Sequence, residues 1–385
     1  MNILVISDFF PHAFRPHEGI FVWEQVRELA RRHSVVVIAP RVWYPPLKRY
    51  AALRFPVSSV PFLEKKEGIL ILRPVYRTIP LVGERMVPLW FFLKLLLFLS
   101  LFSVSFDLIH AHWAYRAGWW AVLLGRLLRR PVVLTAHGSD INYWMNEPVK
   151  KKRIRWALRQ ASGVIFVSRK LAAKVPLKGI RLKKLRVIPN GIPVQDLRGI
   201  PEPQLLPVPC KKIVFVGNLF PVKGVDRLLK ALHLLKQTDV LWQANLIGDG
   251  PERQALEQKT KALGLEEKVT FCGWLPHPEA MRKLEEADVL VIPSRNEGGP
   301  LVLIEGLARG KTVVSFDVGI VAEVLHGPSL GYVVKEHTPE ALAAAIRKAF
   351  KKSVNPKTAK KAAAKYLLKN TVRQIEAFYK TVLTE

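Results

Sequence analysis

Cysteine is nearly absent. The two in 385 residues, Cys210 and Cys272, exclude a disulfide framework and a four-cysteine zinc site, and they fit a reducing compartment. Acidic side chains are also scarce, 31 against 60 Lys and Arg, and Lys150 to Arg186 holds 14 basic residues and no acidic one. No apolar run crosses a bilayer uninterrupted. The best stretch, Val87–Phe106, contains Lys94 and is too short beyond it, so it reads as a buried or interface-lying helix. Asn2–Ser7 reads as a buried strand, so a secretory signal is not expected there. No Asp-x-Asp occurs, so a metal–carboxylate clamp on a diphosphate is not indicated and no metal is expected. No G-x-G-x-x-G follows the first strand, which disfavours a dinucleotide oxidoreductase, and no recognised nucleic-acid motif is present.

What remains is a chain of alternating apolar runs and amphipathic stretches, the pattern of parallel sheets flanked by helices. Strands are predicted at 2–7, 35–39, 70–74, 108–111, 132–136, 163–167 and 185–188, with a helix over Phe21–Arg32. Leu197–Cys210 holds four prolines within nine residues and reads as a linker. The pattern then restarts, with strands predicted at 213–216, 242–247, 269–272, 289–292, 312–315 and 331–333. The expected organisation is a domain over 1–196, a linker over 197–211, a second domain over 212–360 and a final helix over 361–385 that packs toward the first domain. The fold class is α/β with two doubly wound, Rossmann-like domains facing a cleft, and ligands are expected beyond the carboxyl ends of the strands. The charge is divided unevenly. The first 200 residues carry 33 basic and 11 acidic side chains, the rest 27 and 20. The basic half suits nucleic acid, anionic lipid or an acidic ligand, and it equally suits a plain solvated surface.

Four strand exits of the second half carry glycine. Gly217, Asn218 and Lys223 follow the first of them, and Lys223 is a point charge suited to phosphate. Gly248, Asp249 and Gly250 follow the second, and Gly273, Trp274 and Leu275 the third. At the fourth, Glu297 precedes Gly298, Gly299, Pro300, Leu301 and Val302, with Glu305 eight residues on. Eight residues is slightly over two helical turns, so the two carboxylates are able to address two parts of one elongated ligand. A loop carboxylate and a surface charge would also account for them.

In order and spacing these segments resemble the retaining glycosyltransferases of the GT-B fold, glycosyltransferase family 4. The first half matches too, through Phe10-Pro11 and Gly19, Asp107–Trp113, Thr135–Asp140, Val167-Ser168 and Pro189–Gly191. The resemblance implies that Glu297 holds hydroxyls of a donor sugar, that Glu305 binds ribose and that Lys223 binds diphosphate. It implies that Gly273–Leu275 border the base and that Gly19 approaches the phosphates. His137 would face the reacting carbon, and His112 and Asp140 would belong to the acceptor side or cleft. Many members carry arginine where Asn218 stands, so diphosphate binding here leans on helix dipoles or on another cation.

The implied reaction moves a sugar from a UDP- or GDP-type nucleotide sugar, with no cofactor besides that co-substrate. The implied acceptor is a glycan or lipid-linked glycan at the cytoplasmic face of the membrane. Eight of ten tryptophans (Trp23, Trp43, Trp90, Trp113, Trp119, Trp120, Trp144 and Trp156) lie in the basic half, which suits peripheral docking on an anionic bilayer. Two other readings stay open: a nucleotide-sugar epimerase of the same fold, and a non-catalytic protein that binds membrane or nucleic-acid surfaces.

Overall fold

In the computed structural model, residues 1–43, 59–77, 105–175, 184–197, 210–236, 240–325 and 329–384 are described, together with residue 327 and parts of 92–99. The expected linker at 197–211 and Trp90 fall almost wholly outside them. The chain forms two compact units. The first is Met1–Val167, Leu171–Ile188 and Thr371–Glu385; the second is Ser168–Lys170 and Pro189–Asn370.

The first unit is built on an eight-stranded sheet in the order β10-β9-β8-β7-β1-β2-β5-β4. In chain order these are β1 (Asn2–Ser7), β2 (Ser34–Ile38), β4 (Leu63–Lys66), β5 (Ile69–Leu72), β7 (Leu108–His112), β8 (Val132–Ala136), β9 (Gly163–Phe166) and β10 (Leu185–Val187), with β3 (Arg41–Trp43) and β6 (Val75–Arg77) forming a small separate pair. All neighbours in the large sheet run parallel except β4 and β5. Every residue of β7 and β8 is buried, as expected of parallel strands covered on both faces. Helix Ile20–Ala30 buries Val22, Trp23, Val26 and Leu29, close to its sequence-predicted span.

Three strands escaped the sequence reading: β3, β4 and β6. The antiparallel edge strand β4, Leu-Glu-Lys-Lys, is mostly exposed and has no apolar alternation to betray it. The expected C-terminal helix is in fact two, Pro356–Ala364 and Leu368–Thr384. Between them the backbone opens to pair with Ile192, whose N–H donates to Tyr366 O at 3.0 Å and whose carbonyl accepts from Leu368 N at 2.7 Å. Helical propensity loses there to strand-like pairing. The last helix then serves the first unit: Glu376 meets His33 at 2.8 Å and Tyr379 meets His110 at 2.5 Å.

The second unit has six parallel strands in the order β13-β12-β11-β14-β15-β16: β11 (Cys210–Val216), β12 (Leu241–Ile247), β13 (Val269–Gly273), β14 (Val289–Ile292), β15 (Thr312–Phe316) and β16 (Gly331–Val334). Each sheet reverses its winding once, between β1 and β7 in the first unit and between β11 and β14 in the second. The crevice outside the carboxyl ends of such a strand pair is where open α/β sheets bind ligands.

Candidate functional site

The reversal in the second unit gathers most of the residues singled out in its sequence. Gly217 N donates to Ile247 O at 2.9 Å, and Leu219 N to Asp249 O at 2.9 Å, so the exits of β11 and β12 are stitched together. They approach so closely that a Cβ on Gly248 would lie 2.0 Å from Gly217 O, at a backbone φ of 137°. Only glycine tolerates that contact. Past β11 the chain makes a short turn, Pro221–Lys223, and Gly224 at φ 67° starts helix Val225–Leu235. A Cβ there would meet Pro293 O at 2.1 Å, so the Lys223 turn is pressed against the end of β14.

That contact brings Lys223 to Glu297. Its Nζ donates to Glu297 Oε1 at 2.6 Å, and the Ser294 hydroxyl donates to the same oxygen at 2.9 Å. Arg295 braces the turn through its backbone N–H to Val222 O at 2.8 Å, its guanidinium on Pro221 O, and an ion pair with Asp226 at 2.7 Å. Those bonds hold the carboxyl of Asp226 below its ordinary range against the opposing effect of burial. Gly298 and Gly299 lead through Pro300 into helix Leu301–Ala308. The first-turn N–H groups of Leu301 and Val302 have no carbonyl within that helix to bond. Glu305, on the same helix, takes a 3.0 Å contact from His277 Nε2, the first residue of helix His277–Glu285. Trp274, 47% exposed, stands beside Gly273 and Leu275 at the exit of β13, while Asn218 and Asp249 are exposed on their loops. Arg253 reaches Asp249 at 3.3 Å and Glu257 at 2.9 Å.

In the first unit the corresponding exits carry aromatic rings and histidines. A Cβ on Gly19, at φ 67°, would lie 2.3 Å from Phe9 O, so the loop after β1 closes on itself before helix Ile20–Ala30 begins. Trp113 ends β7 in the left-handed region at φ 68°, a conformation costing a non-glycine residue on the order of 1 kcal/mol. Its N–H donates to Thr135 O at 2.9 Å, and the turn swings its ring to 4.7 Å from the His137 ring. Phe21 covers His137 at 4.8 Å. His137 Nε2 and His112 Nδ1 share a hydrogen bond of 2.9 Å, and His137 Nδ1 has no partner within the protein. Burial holds the His137 imidazole down to about 3, with the nearby His110 adding to it, and pushes His112 well below its usual value. Both are neutral at pH 7. Behind them His110 bridges Thr135 Oγ1 at 2.8 Å and Tyr379 at 2.5 Å.

Two expectations change here. Asp140 is fully buried and accepts from Ala114 N, Gly138 N and Ile141 N at 2.9 to 3.1 Å. Its carboxylate therefore braces the turn that carries His137, and it offers no oxygen to an acceptor. His112, 1% exposed, likewise stands behind His137. The tryptophans also divide: Trp23, Trp113 and Trp120 are core residues at 5% exposure or less, while Trp43 is 37% exposed. The sequence reading passed over Trp113, Phe21, Ser294, Arg295 and His277. The tryptophan ending Asp107–Trp113 was the one available signal; the others depend on contacts between distant strand exits.

Comparison with known proteins agrees with this layout. The pattern described as Glycosyltransferase Family 4 matches residues 19–196, and that described as Glycosyl transferases group 1 matches residues 200–366. TuaC of Bacillus subtilis, a protein named as a teichuronic acid biosynthesis glycosyltransferase, is 32% identical over 360 residues, which cover 90% of this chain and 88% of that one. The N-acetyl-alpha-D-glucosaminyl L-malate synthase of Bacillus anthracis is 26% identical over 236 residues, 60% of this chain and 61% of that one. Among solved structures, Anabaena HepE in complex with UDP superposes with a TM-score of 0.73 at 20% identity, covering 99% of this chain and 100% of that one. A sucrose-phosphate synthase from Thermosynechococcus elongatus gives 0.75 at 21% identity, over 100% and 99%. The chain belongs to glycosyltransferase family 4: it is a glycosyltransferase of the GT-B fold.

Proposed function

We propose that this glycosyltransferase takes its sugar from a UDP- or GDP-type nucleotide sugar held by the second unit, and passes it with retention to a lipid-linked glycan. The observation that carries the donor assignment is the Lys223–Glu297–Ser294 cluster at the sheet's point of reversal. Breaking a sugar–phosphate bond puts negative charge on the leaving diphosphate and positive charge on the anomeric carbon. Lys223 and the first-turn N–H groups of Leu301 and Val302 meet the first; Glu297 anchors sugar hydroxyls. Glu305, steadied by His277, binds ribose, and the base lies along Gly273–Leu275. The same lysine and amides make a metal unnecessary for holding the diphosphate. His137, neutral and with an open Nδ1, addresses the sugar or the acceptor hydroxyl, and the leaving phosphate takes the acceptor proton. Relatives support the reading: HepE structures are titled as complexes with UDP and with UDP-glucose, and TuaC is named for the synthesis of a glycan.

The membrane part of the proposal rests on helix Pro148–Gln160. It buries Ile154, Ala157 and Leu158 and leaves Lys151, Lys152 and Arg159 exposed. In 87–106, most of which lies outside the described residues, Leu95 and Leu99 are buried in the first unit's core while Leu93 and Leu97 are 51% and 55% exposed. Among the described residues no helix is long and apolar enough to cross a membrane. A cationic helix and an amphipathic segment suit peripheral attachment to the cytoplasmic leaflet. The test is turnover of a panel of UDP-, GDP- and ADP-sugars with membrane lipid extract, followed by release of nucleoside diphosphate. One donor is expected to turn over, and to stop doing so in Glu297→Ala. Silence across the panel, with no nucleotide bound, contradicts the proposal.

A further inference from the structure

A polar cavity of about 110 Å³ opens in the first unit at the ends of β1, β2 and β5, room for about four waters and suited to one small polar group. Arginines reach it from four separate segments: Arg15 from the loop after β1, Arg41 after β2, Arg73 after β5 and Arg116 from the start of helix Arg116–Leu128. Two of them are core residues, Arg41 at 6% and Arg73 at 2% exposure. Neither is there by solubility; a guanidinium buried to that extent needs a purpose and partners.

Their partners are only partly internal. Arg73 Nη2 donates to Pro11 O at 3.0 Å and to Glu64 Oε2 at 2.6 Å, while its buried Nε–H has no acceptor. Arg41 bonds the carbonyls of Arg73 and Val60. Arg15 pairs with Glu18 at 3.3 Å, and Arg116 stands 3.6 Å from Asp8 and 2.7 Å from the Tyr76 hydroxyl. Four guanidiniums thus face three carboxylates, Asp8, Glu18 and Glu64, leaving one positive charge in excess. Burial lifts the carboxyls of Asp8 and Glu18, which weakens their hold further. His12 reports the same local field: burial first, then Arg73, Arg15 and Arg41, hold its imidazole down to about 4.

Fixed guanidinium forks, a spare charge and an unpaired buried N–H describe a seat for an oxyanion. We propose that this cavity binds a carboxylate or phosphate group carried by the acceptor, so that the enzyme's acceptor substrate is anionic close to the hydroxyl it glycosylates. The acceptor half of the proposal rests on the transferase reading above; the oxyanion half does not. The chemistry of a free phosphate ion is the same, and the test separates the two sources.

Inorganic phosphate, glucuronate and, as the neutral control, glucose are titrated calorimetrically into the full-length protein and into Lys223→Ala. Phosphate and glucuronate are expected to bind both proteins alike, and glucose neither. Arg73→Lys is expected to weaken phosphate by about tenfold or more through loss of the fork. Arg15→Gln, partly exposed and safe for folding, is expected to weaken it several-fold. In turnover with lipid extract, phosphate is expected to raise the apparent KM for the extract and to leave the KM for the donor unchanged. No phosphate binding, binding lost in Lys223→Ala but kept in both arginine variants, or equal binding of glucose overturns the site. Binding at the arginines without competition against the extract overturns the acceptor assignment and leaves a free-ion site. If no donor turns over while the arginine-dependent binding persists, the transferase reading fails and the oxyanion site stands.

Discussion

Lys223 and Glu297 neutralise each other before any ligand arrives, and this has a counterintuitive consequence for nucleotide binding. The pair is closed at 2.6 Å, with side chains 29% and 14% exposed. If Lys223 binds diphosphate, Glu297 must stand close to the same phosphates and repel them. Two unit charges about 4 Å apart interact by roughly 4 kcal/mol at an effective dielectric constant near 20. Partial exposure and screening by salt reduce this to about 1 to 2 kcal/mol. Glu297→Gln should therefore tighten UDP or GDP, whichever the enzyme uses, by about fivefold to thirtyfold while abolishing sugar transfer. Lys223→Ala should weaken the nucleotide by more than the double variant Lys223→Ala/Glu297→Gln does, because the single change leaves an uncompensated carboxylate. Titration calorimetry of the four proteins at 50 and 300 mM NaCl gives the complete cycle, and the differences should shrink at the higher salt. Weaker nucleotide binding by Glu297→Gln, or strictly additive effects, would refute the reasoning.

Other changes probe the scaffold and the surface. Gly248→Ala places a methyl 2.0 Å from a backbone carbonyl; it should destabilise the second unit by about 2 to 3 kcal/mol and lower its calorimetric Tm by roughly 5 to 10 °C. The buried histidines make the first unit acid-sensitive. His110 and His137 are both held at about 3, well below the value of 6.5 expected in the unfolded chain. Their contribution to stability is complete above pH 6.5 and is lost as the pH falls toward the folded values, by up to about 1.4 kcal/mol per pH unit for each. The urea midpoint of the first unit should fall measurably between pH 7 and pH 5; an unchanged midpoint contradicts the burial assigned to these rings. Tyr379→Phe leaves His110 Nδ1 without its 2.5 Å partner and should cost about 1 to 3 kcal/mol, read by the same denaturation at pH 7. Replacing Lys151, Lys152 and Arg159 together by alanine should weaken sedimentation with phosphatidylserine vesicles by about a hundredfold, at roughly 1 kcal/mol per charge, with donor hydrolysis unchanged.

The parallel strands were legible because a strand covered on both faces must be almost continuously apolar, as β7 and β8 are. The glycine exits were legible because close approach of backbones admits no other residue, as Gly217 and Gly248 show. What stayed hidden was whatever depends on partners far apart in sequence. Nothing local marks β4 as a strand, since its partner β5 supplies the order. Nothing local divides the last helical stretch at residues 365–367, where Ile192 intervenes. Asp140, a polar residue beside a glycine turn, resembled a ligand contact, and only its three backbone N–H partners reveal a brace. The arginines of the first unit's cavity were legible only as excess charge; the carboxyl ends of three strands assemble them into a site.

The most direct measurement of the central claim is transfer of labelled sugar, from the donor that turns over, into the organic-solvent extract of membranes, with the anomeric proton of the product read by NMR. The account predicts label in the lipid fraction, the donor's own anomeric configuration in the product, undiminished transfer in EDTA, and none with Glu297→Ala. Label confined to water-soluble product, an inverted anomeric centre, or full transfer by Glu297→Ala would contradict it.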